Sequence, residues 1–281
     1  MQSAEFEQQF YVASDGLKLS AYSAGTPNAP EILFLHGYAQ ASLCWSGQFN
    51  DPDLAQGFHL SAVDLRGHGA SDKPDDPQCY QSDQQFADDL ARAMDVLGLG
   101  RPVIVAWSYA GRILCDYINS YGTGRIAGIN FVSARVSNDP GYDGPVLTAL
   151  DGMFSRDLGA NITATRDFVR GCFDKAPSRG VADALLACAM VVPPEVRAAH
   201  MSRPAVDNDV LDGMQVPVLV SHGEKDRVVL PMQANEIASR VANARLSLYP
   251  DAGHAPFVED TARFNAELAA FVQQCQAGPA D

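Results

Sequence analysis

Residues 103–111 read Val-Ile-Val-Ala-Trp-Ser-Tyr-Ala-Gly, an unbroken apolar run that stops at a small polar residue and resumes as a helical pattern. A short strand without polar alternation is buried on both faces, and a helix that follows it at once places it in a mainly parallel sheet wrapped by helices. The corner is Ser108. In a G-x-S-x-G turn of this shape, the residues two before and two after the serine are small because the turn presses them against neighbouring backbone. Here both are alanine. Ala106 and Ala110 keep the small size but give up glycine's access to positive φ, at a cost on the order of 1 kcal/mol wherever that conformation is required. The expectation is an intact turn with strained backbone angles at Ser108.

The rest of the chain repeats the pattern. Residues 10 to 14 and 17 to 24 read as an opening hairpin with Asp15-Gly16 as its turn. Further apolar runs follow at 31–35, 60–63, 102–106, 126–132, 216–220 and 244–248, separated mostly by helical or long connections. Between the sixth and seventh strands lie about eighty residues, far more than a crossover needs. Apolar residues there recur at helical spacing: Val146, Leu150, Met153 and Phe154; Phe168, Val169, Cys172 and Phe173; Val181, Leu185, Cys188 and Ala189. Pro193-Pro194 and Pro204 punctuate the remainder. Residues 1–135 and 214–281 therefore read as an α/β core, and 136–213 as a helical cap over the carboxyl ends of the strands, where open α/β sheets bind ligands.

Composition narrows the partners. A net charge of −14 with 20 basic against 34 acidic residues argues against nucleic-acid or anionic-membrane binding, which needs clustered Lys and Arg. The opening Met1 to Glu7 has neither basic flank nor apolar core, and no later apolar run is long enough to span a bilayer, which points to a cytoplasmic protein. In that compartment the six scattered cysteines are expected to be free thiols, and the sequon at Asn161 incidental. No Cys/His spacing or HExxH helix suggests a metal. Gly122-Thr123-Gly124 superficially matches a dinucleotide fingerprint but follows a helix and precedes a strand, so it reads as a helix stop. No feature marks a subunit interface.

Four further segments sit just past strand ends. His36-Gly37-Tyr38-Ala39 follows the third strand, and Asp64 to Asp72 (Asp-Leu-Arg-Gly-His-Gly-Ala-Ser-Asp) follows the fourth. Later, Ser221-His222-Gly223-Glu224-Lys225-Asp226 presents an acid, and Asp251-Ala252-Gly253-His254 a histidine. Together with the Ser108 turn, these motifs in the order Ser, Asp, His resemble the α/β-hydrolase family over essentially the whole chain outside the cap. The resemblance implies an α/β-hydrolase fold: a mostly parallel eight-stranded sheet, covered by helices on both faces, with an inserted helical cap.

It also implies a chemistry. A serine hydroxyl is a weak nucleophile at neutral pH and needs a base, so His254 would take the proton of Ser108 and Asp226 would fix the imidazole. Asp139, soon after the sixth strand, is an alternative acid. By the same resemblance, the backbone N–H groups of Tyr38 and Tyr109 form the oxyanion hole. Trp107, Phe257, Met153, Phe154 and Met190 are candidates for the substrate pocket, and Arg135 could meet either a substrate carboxylate or a nearby Asp. His36 is expected to shape the oxyanion loop, while His59, His68, His200 and His222 read as structural.

The implied activity is cofactor-free acyl transfer on a small carboxylic ester or lactone. Related members run perhydrolysis (the cofactor-free haloperoxidases), amide cleavage or C–C bond cleavage with the same triad, and Asp64 to Pro74 looks like the haloperoxidase and esterase branches. A ligand-binding or signalling homologue with little turnover is the reading from another class. Epoxide hydrolases and haloalkane dehalogenases are disfavoured because they need Asp where Ser108 stands.

Overall fold

The computed structural model describes residues 6–137, 139–204 and 209–277. The reading of Met1 to Glu7 as lacking a leader falls largely on residues 1–5, outside the described residues. Eight strands form one sheet: β1 (Glu7–Val12), β2 (Lys18–Gly25), β3 (Glu31–Leu35), β4 (His59–Asp64), β5 (Val103–Trp107), β6 (Gly128–Val132), β7 (Val218–Gly223) and β8 (Ala244–Tyr249). Their order is β1-β2-β4-β3-β5-β6-β7-β8. The β1–β2 and β2–β4 pairs are antiparallel, and every pair from β4 to β8 is parallel. Every residue of β5, β6 and β7 is buried. Side chains alternate across a strand, so both sheet faces are covered, as the unbroken apolar runs require.

Among the described residues, the α-helices are α1 (Ser46–Phe49), α2 (Pro52–Gly57), α3 (Asp83–Val96), α4 (Ala110–Tyr121), α5 (Leu158–Gly171), α6 (Arg179–Val191), α7 (Pro194–Met201), α8 (Met232–Arg240), α9 (Pro256–Glu259) and α10 (Thr261–Ala277). Helix starts follow capping chemistry. Ser82 accepts from Gln85 N–H at α3, and Asp157 from Ala160 N–H at α5. Gly122 ends α4 at φ 68°, so Gly122-Thr123-Gly124 is a helix stop.

The segment between β6 and β7 carries a 3₁₀ helix over Pro145–Phe154, then α5, α6 and α7. Leu150, Met153, Phe168, Val169, Cys172, Phe173, Leu185, Cys188 and Ala189 are buried there, as their helical spacing predicts; Val181 is exposed. Helix α7 lies in the stretch read only as proline punctuation. Its signals were present, with Pro194 in the first turn, Glu195 near the N-terminus and His200 near the C-terminus.

One buried side chain knits this segment together. The Arg197 guanidinium, from α7, donates to Met153 O (3.1 Å), Asn161 Oδ1 (2.9 Å), Thr165 Oγ1 (2.9 Å) and Ala189 O. The sequon residue Asn161 is itself buried, and its amide donates to Met153 O and Ser155 O. All six cysteines are free. Among the described residues, no helix is long and apolar enough to cross a membrane.

Candidate active site

Backbone strain marks the site. Among the described residues, the non-glycine residues with positive φ are Asn28, Ala39 (52°), Ser108 (55°) and Ser133 (42°), and the last three stand just past the ends of β3, β5 and β6. Such conformations cost roughly 1–3 kcal/mol each and concentrate where function over-determines the backbone. Ser108 takes the corner between β5 and α4. Its N–H donates to Val132 O at 3.0 Å, and its carbonyl accepts from Gly111 N–H and Arg135 N–H, both at 2.9 Å. The strained angle expected at Ser108 is there.

The alanines fall elsewhere than the sequence suggests. Neither Ala106, inside β5, nor Ala110, the first residue of α4, has positive φ, so the conformational cost expected of them does not arise. The glycine this turn needs for space is Gly111. A Cβ added there would lie 2.8 Å from Ala134 Cβ and 3.0 Å from Arg135 O.

Asp226 and His254 come together from loops after β7 and β8. His254 Nδ1 lies 2.8 Å from Asp226 Oδ2. A carboxylate can only accept, so Nδ1 carries the proton and Nε2 keeps its lone pair. Asp226 Oδ1 accepts from Val228 N–H (2.8 Å) and Val229 N–H (3.1 Å). Burial alone would raise the pKa of Asp226, but the His254 and His222 imidazoles hold it well below the usual carboxylate range. Asp139, the alternative acid, instead caps a turn by accepting from Gly141 N–H.

The histidine loop is fixed from two sides. Trp107 Nε1 donates to His254 O at 2.8 Å, and His254 N–H donates to Cys172 O at 2.8 Å, past the end of α5. Gly253 permits that approach, since a Cβ there would meet Asp174 N at 2.8 Å and Cys172 O at 3.0 Å. Among the described residues, Ser108 Oγ makes no hydrogen bond. Hydrogen bonds of this kind are often long in free enzymes and tighten with substrate.

The Tyr38 loop faces the turn. Neither Tyr38 N–H nor Tyr109 N–H is given to an acceptor among the described residues. His36 spans the loop base: its Nδ1–H donates to Gly37 O (2.8 Å), and its Nε2 accepts from Leu65 N–H (3.0 Å). His68 works similarly, donating from Nδ1 to Arg66 O (3.0 Å) and accepting Ala39 N–H at Nε2 (3.2 Å).

Among the pocket candidates, Trp107 is buried within a cluster of Trp45, Phe257 and His254. Phe257 lines a cavity of about 320 Å³ with Leu43, Cys44, Leu185 and Val258. Met153 is fully buried, and Phe154 and Met190 are partly exposed. Arg135 pairs with Asp143 at 2.9 Å.

Two contributors escaped sequence reasoning. His222 Nε2 lies 2.9 Å from Val229 O and 3.1 Å from Asp226 Oδ2, so it carries a proton shared between them and adds a donor to the acid. His200 reaches Tyr109 from α7. The only sequence signal for His222 was its position four residues before Asp226; for His200 it was the set of helix-end signals around α7, which locate a helix but not its contact with Tyr109.

Known proteins resemble this chain in sequence and fold. A protein described as an aryl esterase from Burkholderia cenocepacia superposes with a TM-score of 0.90 at 32% identity, covering 96% of this chain and all of its own. An esterase from Rhodococcus sp. ECU1013 does so with a TM-score of 0.88 at 32% identity, covering 97% and 99%. A bifunctional esterase/perhydrolase from Acinetobacter calcoaceticus is 26% identical over 285 residues, covering 94% and 99%. The sequence pattern of the alpha/beta hydrolase family matches residues 32–267. That match spans well over half of the chain, so the chain belongs to the alpha/beta hydrolase family, as a hydrolase of that fold.

Proposed function

We propose that this protein is a serine hydrolase of small carboxylic esters or lactones. Ser108 Oγ attacks the carbonyl carbon while His254 Nε2 takes its proton, and the oxygen that becomes negative receives Tyr38 N–H and Tyr109 N–H. Collapse breaks the bond to the leaving alcohol, which takes the proton back from His254 and leaves an acyl group on Ser108. Water then repeats the sequence with His254 as base, releasing the acid. Asp226 stays ionised throughout and stabilises the imidazolium. The reading requires no cofactor. Trp107, Phe257, Met153, Phe154 and Met190 bound the apolar part of the substrate, beneath a cap formed by residues 136–213.

The observations that support this most are the His254–Asp226 hydrogen bond, which leaves Nε2 basic, and a serine held at φ 55° between β5 and α4. Esterases at 32% identity over nearly the whole chain support ester cleavage as the reaction.

A fluorophosphonate probe, followed by p-nitrophenyl esters of increasing acyl length and a lactone series, tests it. Wild type should label and turn over, Ser108→Ala should do neither, and Asp226→Asn should lose roughly 10³–10⁴-fold in kcat. Equal labelling of wild type and Ser108→Ala would sink the reading.

A further inference from the structure

Helix α7 touches both residues whose N–H groups face the proposed oxyanion, and it does so through their side chains. Tyr38 OH donates to Arg197 O at 3.2 Å. Tyr109 OH lies 3.2 Å from His200 Nδ1 and 3.1 Å from Arg203 Nη1. Proton accounting fixes the directions. Arg203 can only donate, so the tyrosine hydroxyl accepts from it and sends its own proton to His200 Nδ1. His200 Nε2 faces Arg66 O at 3.2 Å, a carbonyl, so the ring proton sits on Nε2 and Nδ1 is free to accept. Burial and the Arg203 charge push His200 down to a pKa of about 3, which keeps the ring neutral and Nδ1 an acceptor near neutral pH.

The anchors of α7 are rigid. Arg203, two residues beyond its end, is buried, pairs with Asp116 at 2.8 Å and also with Asp83, and lies over the Phe86 ring. Arg66 O, which receives His200, also receives His68, and His68 in turn holds Ala39 N–H beside Tyr38. Tyr38 and Tyr109 meet edge to face at 6.4 Å, and Phe168 of α5 packs on Tyr38 at 6.0 Å.

We propose that α7 is a positioning element for the oxyanion hole: the Tyr109–His200 and Tyr38–Arg197 hydrogen bonds lock the two loops so that both backbone N–H groups point at one spot. The inference rests on the serine-hydrolase reading above. Preorganised donors stabilise developing charge only if they need not reorganise during the reaction. Loops at strand ends are ordinarily the mobile part of a fold. Here each is held at the backbone and again at the far end of a phenol, on one helix. The segment between β6 and β7 thereby becomes part of the catalytic geometry as well as a cover for the substrate.

Tyr38→Phe and Tyr109→Phe test this, because each removes a tether while keeping the backbone donor. Each variant should lose about five- to tenfold in kcat, the equivalent of one net hydrogen bond, with KM within about twofold. Affinity for an aryl trifluoromethyl ketone, which adds to the serine as a tetrahedral oxyanion, should fall in the same proportion. The double variant should lose more than either single one. His200→Gln, which retains an acceptor, should retain more kcat than His200→Leu; this pair carries the test if Tyr109→Phe folds poorly.

Unchanged kcat in the tyrosine variants overturns the proposal. So does a kcat loss accompanied by an equal rise in KM with no loss of ketone affinity, which would mark a merely structural contact. A wild type that fails to label with fluorophosphonate removes the serine-hydrolase reading and this inference together; a labelled wild type with indifferent tyrosine variants removes only this one.

Discussion

At Ser108 a polar residue is held at φ 55° with both its backbone N–H and its carbonyl hydrogen-bonded. Its N–H reaches Val132 O at the end of the neighbouring strand, and its carbonyl collects two donors, from Gly111 and Arg135. The small side chains flanking it have a steric role, not a conformational one, since Ala106 and Ala110 stay outside the positive-φ region. Ala106→Gly and Ala110→Gly should therefore leave kcat within about twofold of wild type. They should lower stability by about 0.5–1 kcal/mol each through the entropy of the unfolded chain. A clear gain in kcat from either glycine, measured on p-nitrophenyl acetate, would show that the turn does need glycine there.

At the level of elements, the segment between β6 and β7 coheres through Arg197. Its guanidinium reaches the Pro145–Phe154 helix, α5 and α6 at once, and Nε alone lacks a partner. Burying a cation without a carboxylate partner is costly, and burial duly lowers its pKa. Removing it is expected to cost more, because Met153 O and Ala189 O lose a charged donor in a buried position. Arg197→Met should lower unfolding stability by about 2 kcal/mol or more in urea, with an unchanged m-value. A variant as stable as wild type would show that apolar packing alone holds these helices. Periodicity found the Pro145–Phe154 helix, α5 and α6 because their apolar residues repeat locally. It missed α7, whose buried face sets Arg197 and His200 beside Val196 and Ala199, so that polar residues interrupt the apolar repeat.

For the whole molecule, buried ionisable groups set the response to acid. Burial holds His36, His68 and His200 below the usual imidazole pKa. The unfolded chain therefore takes up these three protons first, near pH 6.5, and the stability they contribute is full above that pH and declines below it. Asp89 and Asp116 act with opposite sign. Burial raises each to about 6 against the pull of Arg66 and Arg203, so between pH 6 and 4 the folded state takes up protons ahead of the unfolded chain. Three uptake sites in the unfolded chain against two in the folded leave a shallow decline over that interval. Below about pH 4 the aspartates no longer compensate, and Asp226, held down by two imidazoles, begins to lose its own contribution. Urea unfolding at pH 7.5, 5.5 and 3.5 should show a small loss at the first step and a large one at the second. Equal stability at pH 5.5 and 3.5 would contradict the assignment of buried neutral histidines.

Local sequence determined what is local. The central strands are apolar runs that had to be buried on both faces, and the Ser108 corner follows from a strand meeting a helix with small residues around it. The hairpin at Asp15-Gly16 follows from turn chemistry, with Gly16 at φ 90°. Tertiary structure decided what depends on distant partners. It inserted β4 between β2 and β3, and it set His254 on Asp226, leaving Asp139 to cap a turn. It also carried His200 to Tyr109, ninety-one residues away in the chain. Periodicity and turn propensity describe neighbours along the chain, whereas a hydrogen bond between loops of separate strands exists only once the sheet has fixed where each strand ends.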